Sequence, residues 1–114
     1  MLRYRRIYEP VEPEDGFRIL VDRLWPRELK RENAAFDEWL KNISPSNELR
    51  TWYGHRPERW TEFEERYQGE LTSPEAVRER ERLREIAASG TLTLLTATPA
   101  IETSHLAVLR KLLG

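Results

Sequence analysis

The chain has 114 residues, of which 34% are charged and 39% hydrophobic, and its formal net charge is −1. It contains no cysteine, which excludes disulfides, thiolate metal sites and a cysteine nucleophile. The near-zero charge argues against a dedicated nucleic-acid binder, which shows a basic excess, and no apolar run approaches the roughly 20 residues of a membrane span.

Residues 3–8 read as a first strand. Glu9 to Gly16, with two prolines and a closing glycine, reads as a loop. A second strand runs from Phe17 to Arg23, and Pro26 stops it because proline has no N–H for the ladder. Residues 26–33 form a polar connection. Asn33 then caps an expected helix whose apolar face is Phe36, Trp39, Leu40 and Ile43, the steps of one helical stripe. Ser44-Pro45-Ser46 breaks it. A short helix starts at Ser46 and ends at Gly54, and Pro57 opens the next. The face of that helix is Trp60, Phe63, Tyr67 and Leu71. Both Trp39 and Trp60 are expected in the core. Ser73-Pro74-Glu75 starts a further helix that ends at Gly90. It carries Glu75–Arg78, Glu79–Arg82 and Glu81–Arg84 at i,i+3, a solvated face of surface pairs. Thr91 to Thr98 is the strongest strand and should be central, with Pro99 closing it. The last helix carries His105, Leu106, Leu109, Leu112 and Leu113.

Strands alternating with helices predict an α/β fold: a single three-layer domain over residues 1–114, with a small, mostly parallel sheet flanked by helices. The first residues, Met-Leu-Arg-Tyr-Arg-Arg, have no apolar segment behind them and do not read as a signal peptide. The expected location is the cytoplasm.

The chemistry concentrates in Val-Asp-Arg-Leu-Trp-Pro-Arg, residues 21–27. Open α/β sheets place ligands at the C-terminal ends of their strands. Arg23 and Arg27, four apart at such an end, can bracket a phosphate or carboxylate with charge-assisted bonds. Arg23 can equally pair with an acid of the fold. Trp25 packs in the core or forms a wall for a planar ligand. His55 sits at a helix–helix break after Gly54. His105 points inward near the start of the last helix, where free N–H groups favour anions. A hydrogen-bonded structural role is the alternative for each histidine. Joining Asp22, His55 and His105 as a metal set has no supporting spacing, so no metal is assigned. No cofactor motif is present: there is no Gly-rich phosphate loop and no G-x-S-x-G elbow.

Several blocks together resemble the YeaO-like family of uncharacterised bacterial proteins: residues 15–27, Asp37-Glu38-Trp39-Leu40, residues 44–50, Trp52-Tyr53-Gly54-His55 and residues 66–71. The resemblance implies a cytoplasmic α/β domain without an established activity. It places the family's recurring polar residues at Asp22, Arg23, Arg27, His55 and His105. It also marks departures. Glu28 stands where the family usually has glycine, and Arg56 and Ala100 stand where it usually has aspartate. Thr103-Ser104-His105 replaces a block that usually reads His-Asn-His.

The expectation is a small anionic or phosphorylated ligand held by Asp22, Arg23, Trp25, Arg27, His55 and His105. The alternative is a nucleic-acid or protein interaction module that uses its arginines without catalysis. The sequence names no reaction and gives no signal for an oligomeric state.

Overall fold

The computed structural model describes residues 1–114. Four strands, β1 (Leu2–Arg6), β2 (Phe17–Leu20), β3 (Glu38–Trp39) and β4 (Leu92–Thr96), form one sheet in the order β1-β4-β2-β3. Every pairing is parallel. The helices are α1 (Asn47–Tyr53), α2 (Trp60–Glu70), α3 (Pro74–Ser89) and α4 (His105–Leu113). β4 is central and buried along its whole length, as its composition predicts.

Alternation along β4 assigns the two faces of the sheet. Leu92 and Leu94 join Ile19, Val21 and apolar residues of all four helices in the main core. Leu95 turns the other way with Leu20 and Ile7, beneath Leu29, Phe36 and Trp39. The third layer is therefore built from loops and 3₁₀ turns rather than α-helices.

The N-terminal loop contributes more than a connection. Its 3₁₀ turn, Pro13–Asp15, lies over the non-helical face and buries Asp15 completely. In register across the sheet, Arg3, Thr93 and Arg18 occupy one row. Asp15 accepts from Arg3 at 2.7 Å, from Arg5 at 2.8 Å and from the buried Arg18. Thr93 Oγ1 donates to the Asp15 carbonyl at 2.7 Å. Burial pushes the Asp15 carboxyl up, but the Glu12 N–H and the guanidiniums outweigh it and hold it below the usual range. Gly16 follows at φ +61°, where a Cβ would lie 2.3 Å from the Thr91 carbonyl oxygen. Only glycine lets the loop enter β2 there while Phe17 N bonds Thr91 O at 3.0 Å.

The helix expected from Asn33 is absent. Residues Arg31–Asn33 form a 3₁₀ turn, and the chain then pairs with the free edge of β2. Asp37 N bonds Arg18 O at 2.8 Å, and Leu40 N bonds Leu20 O at 2.8 Å. The Asp37 carboxylate accepts from Arg18 N at 2.8 Å. Phe36 and Trp39 consequently pack on the loop-covered face, while Leu40 and Ile43 enter the helix-side core. A helical stripe would have put all four on one face. Trp39 and Trp60 are each only half-buried, at the margins of their clusters.

The other helix signals hold. Ser46 Oγ accepts from Leu49 N at 3.1 Å, and Ser73 Oγ from Ala76 N at 3.1 Å, the N-cap arrangement. Gly54 closes α1 in the left-handed conformation. Pro57 opens a 3₁₀ turn, Pro57–Arg59, that leads into α2. On α3 the Arg82–Glu79 and Arg84–Glu81 pairs form, whereas Glu75 accepts from Asn42 at 2.7 Å instead of meeting Arg78. β2 ends at Leu20 rather than Arg23, so residues 21–27 leave the sheet as an irregular segment. No helix is long and apolar enough to cross a membrane.

Candidate functional site

β2 and β4 run parallel, so the segments after Leu20 and Thr96 leave the sheet at the same edge. Pro26 and Pro99 both lie there, in the wall of a pocket of about 450 Å³. Asp22, Arg23, Trp25, Arg27, His55 and His105 all line it, although they span 84 residues of chain.

Asp22 braces the two strand exits. Its carboxylate accepts from Thr96 Oγ1 at 2.7 Å and from Ala97 N at 2.8 Å. His105 Nε2 lies 3.3 Å from the same carboxylate and also bonds the Val21 carbonyl. A carbonyl only accepts, so Nε2 carries the proton. That nitrogen is committed to positioning and is not free to take a proton from a ligand. His105 is 8% exposed, and its imidazole stands edge-on to Tyr67 at 6.2 Å. Tyr67 in turn donates to the Ile43 carbonyl at 2.5 Å. Burial pushes its hydroxyl well above the ordinary range, so it remains a neutral donor.

Arg23 pairs with no acid. Its Nε donates to Pro45 O at 2.9 Å and its Nη2 to Ser44 O at 2.6 Å. It clamps the loop before α1 and keeps its charge at the pocket. Trp25 packs in the fold and also lines the pocket. Its Nε1 donates to Leu29 O at 2.7 Å, its ring meets Trp39 edge-on at 5.5 Å, and it lines the pocket. Arg27 is exposed, and only its backbone carbonyl is engaged, by the Tyr8 hydroxyl at 2.7 Å. No ion pair joins Arg27 to Glu28.

Glu28 and His55 are the two non-glycine residues with positive φ, at 63° and 57°. One follows Arg27; the other lines the pocket itself. A residue with a Cβ costs roughly 1–2 kcal/mol in this region. The glycine usual in the resembled family at position 28 avoids that strain. Glu28→Gly is therefore expected to stabilise the protein by about 0.5–1 kcal/mol, because glycine's extra entropy loss offsets part of the relief. Urea denaturation measures it, and a clear loss of stability would show that the Glu28 side chain holds a contact the geometry does not reveal.

The sequence reading missed Arg50, Tyr53 and Phe63 as pocket residues. Arg50 is exposed, and its only side-chain bond is a long one, 3.5 Å to Asn47. Its signal was present: it lies one helical turn before Gly54, on the helix that leads to His55. Phe63 was legible only as part of an apolar helix face and Tyr53 only as part of the short helix before Gly54; they stack at 4.3 Å and both reach the pocket lining. No group of three His, Asp or Glu side chains is placed to hold a metal ion.

The model of a family described as the inactive DUF488-N3 subclade matches residues 1–114. An uncharacterized protein of Mycobacterium tuberculosis is 44% identical over 113 residues, covering 99% of this chain and 93% of its own. The uncharacterized protein YeaO of Escherichia coli is 43% identical over 108 residues, covering 95% and 92%. No solved structure matches.

Proposed function

This chain belongs to the inactive DUF488-N3 subclade, and from there we propose that its pocket binds a small anionic or phosphorylated ligand without transforming it. One observation carries the reading. Arg23, Arg27 and Arg50 line the pocket, none of them paired with a carboxylate, while the single acid there, Asp22, is occupied by Thr96, Ala97 and His105. Guanidiniums left without a counterion around a concavity suit a carboxylate or phosphate. His55 is exposed, has no hydrogen bond in the fold and adds a donor at the rim.

The block around His105 supports binding without chemistry. Ser104 caps α4 by accepting from Leu106 N at 3.2 Å, and the Thr103 carbonyl accepts from Tyr53 at 2.8 Å. These residues, and the Nε2 of His105, are spent on structure rather than held ready for proton transfer.

The test is thermal denaturation in phosphate against chloride at equal ionic strength. Phosphate at about ten times its Kd should stabilise by roughly 1.4 kcal/mol, a rise of about 5 °C in Tm for a domain of this size. Phosphate also stabilises proteins by exclusion from their surface. The control is Arg27→Ala with Arg50→Ala, because neither side chain holds the fold together, whereas Arg23 does. Equal gains in parent and variant would rule out an anion site. An interaction with nucleic acid would show instead as an affinity that falls steeply with salt.

A further inference from the structure

We infer that the ligand is a phosphomonoester on a flat aromatic body, which rests on the anion-binding reading above and names its chemical class. Three features of the pocket point there independently of one another.

The first is charge. Three arginines against one aspartate leave a surplus of two positive charges in the lining. A phosphomonoester carries about −1.5 to −2 at neutral pH and offers three acceptor oxygens, whereas a carboxylate offers one charge and two. Arg27 and Arg50 approach from different segments, one after β2 and one on α1. A tetrahedral head with several oxygens can meet both.

The second is volume. About 450 Å³ is the scale of sites that enclose small organic molecules. Inorganic phosphate would leave most of it to water. A ring attached to the head fills it.

The third is the character of the walls. Trp25, partly exposed, presents aromatic surface, the buried Tyr53 and Phe63 reach the same lining, and Leu24 there is 53% exposed. An aromatic guest in the pocket would cover this apolar side chain. His55, which lines the pocket, and Glu28, the residue after the lining Arg27, both have positive φ. Strain of this kind collects at ligand clamps.

The experiment is calorimetric titration of the full chain with phenyl phosphate, inorganic phosphate, benzoate and phenol, repeated on the Arg27→Ala, Arg50→Ala variant. Phenyl phosphate should bind about ten- to hundredfold tighter than inorganic phosphate, from burial of the ring. It should also bind tighter than benzoate, phenol should not bind measurably, and the variant should lose at least about tenfold for phenyl phosphate. If phosphate binds and phenyl phosphate binds no tighter, the aromatic body is wrong and the anion site stands. If benzoate matches phenyl phosphate, the doubly charged head is wrong. If none of the four binds, both this inference and the anion site fall.

Discussion

Asp15→Ala is expected to cost about 3–5 kcal/mol, the range for removing one partner of a buried ion pair. The carboxylate is fully buried and serves Arg3, Arg5 and Arg18 together. Of the three, Arg18 is itself 3% exposed and has no other acid within ion-pair distance. Its charge would be left in the interior. A loss of this size is a large part of the 5–15 kcal/mol that holds a typical domain together. The wild-type protein should also show the effect through pH. Asp15 has a folded pKa below its unfolded value near 4. Its contribution is therefore present above about pH 4 and is lost as pH falls through the folded value. Urea denaturation between pH 2 and 7 should give a stability that drops below pH 4, and Asp15→Asn should flatten that drop. A loss under roughly 1 kcal/mol for Asp15→Ala, the scale of an ordinary substitution, would mean that the three guanidiniums find other partners.

Removing everything after Gly90 is expected to abolish folding. β4 is the only strand that joins β1 to β2, with parallel ladders on both sides. Its five residues are buried, and α4 adds Leu106, Val108 and Leu109 to the core. A fragment 1–90 would keep three helices but would have β1 facing no strand at all. Backbone groups that now pair within the sheet would have to be satisfied by water, and the apolar face of α2 would lose its cover. The fragment should give no cooperative transition by circular dichroism on heating. A soluble fragment that melts cooperatively would show that helices α1 to α3 and the β2–β3 pair form a core of their own.

These two effects also show where the chain's organisation is written. α1 and α3 were legible because their caps lie within four residues of the bonds they make: Ser46 to Leu49, Ser73 to Ala76. The stripe Trp60, Phe63, Tyr67, Leu71 repeats at the helical period, with the first three on α2 and Leu71 as its C-cap. The pocket's position was legible too, because β2 and β4 run parallel and the segments holding Pro26 and Pro99 leave the sheet at the same edge. The rule about strand ends placed Asp22, Arg23, Trp25 and Arg27 there, whereas His55, at a helix–helix junction, reaches the wall only through the packing of α1.

What the sequence by itself determined, then, was every feature whose cause is local: helix caps, a hydrophobic period, and a strand rich in Thr and Leu. The tertiary structure alone decided features whose cause is a partner far along the chain. Phe36, Trp39, Leu40 and Ile43 fit a helix by spacing, yet the open edge of β2, some 20 residues earlier, offers Arg18 and Leu20 as hydrogen-bond partners and converts the segment to a strand and loop. Asp15 looked like a loop acid until three arginines from two strands closed on it. Arg23 was a ligand candidate by type, and the carbonyls of Ser44 and Pro45 made it a clamp as well. His105 was read as inward-pointing, but only the meeting of α4 with the exit of β2 fixes its proton on Nε2. A hydrogen bond or ion pair is specified by both of its ends, and in each of these cases the second end lay beyond the range of any local pattern.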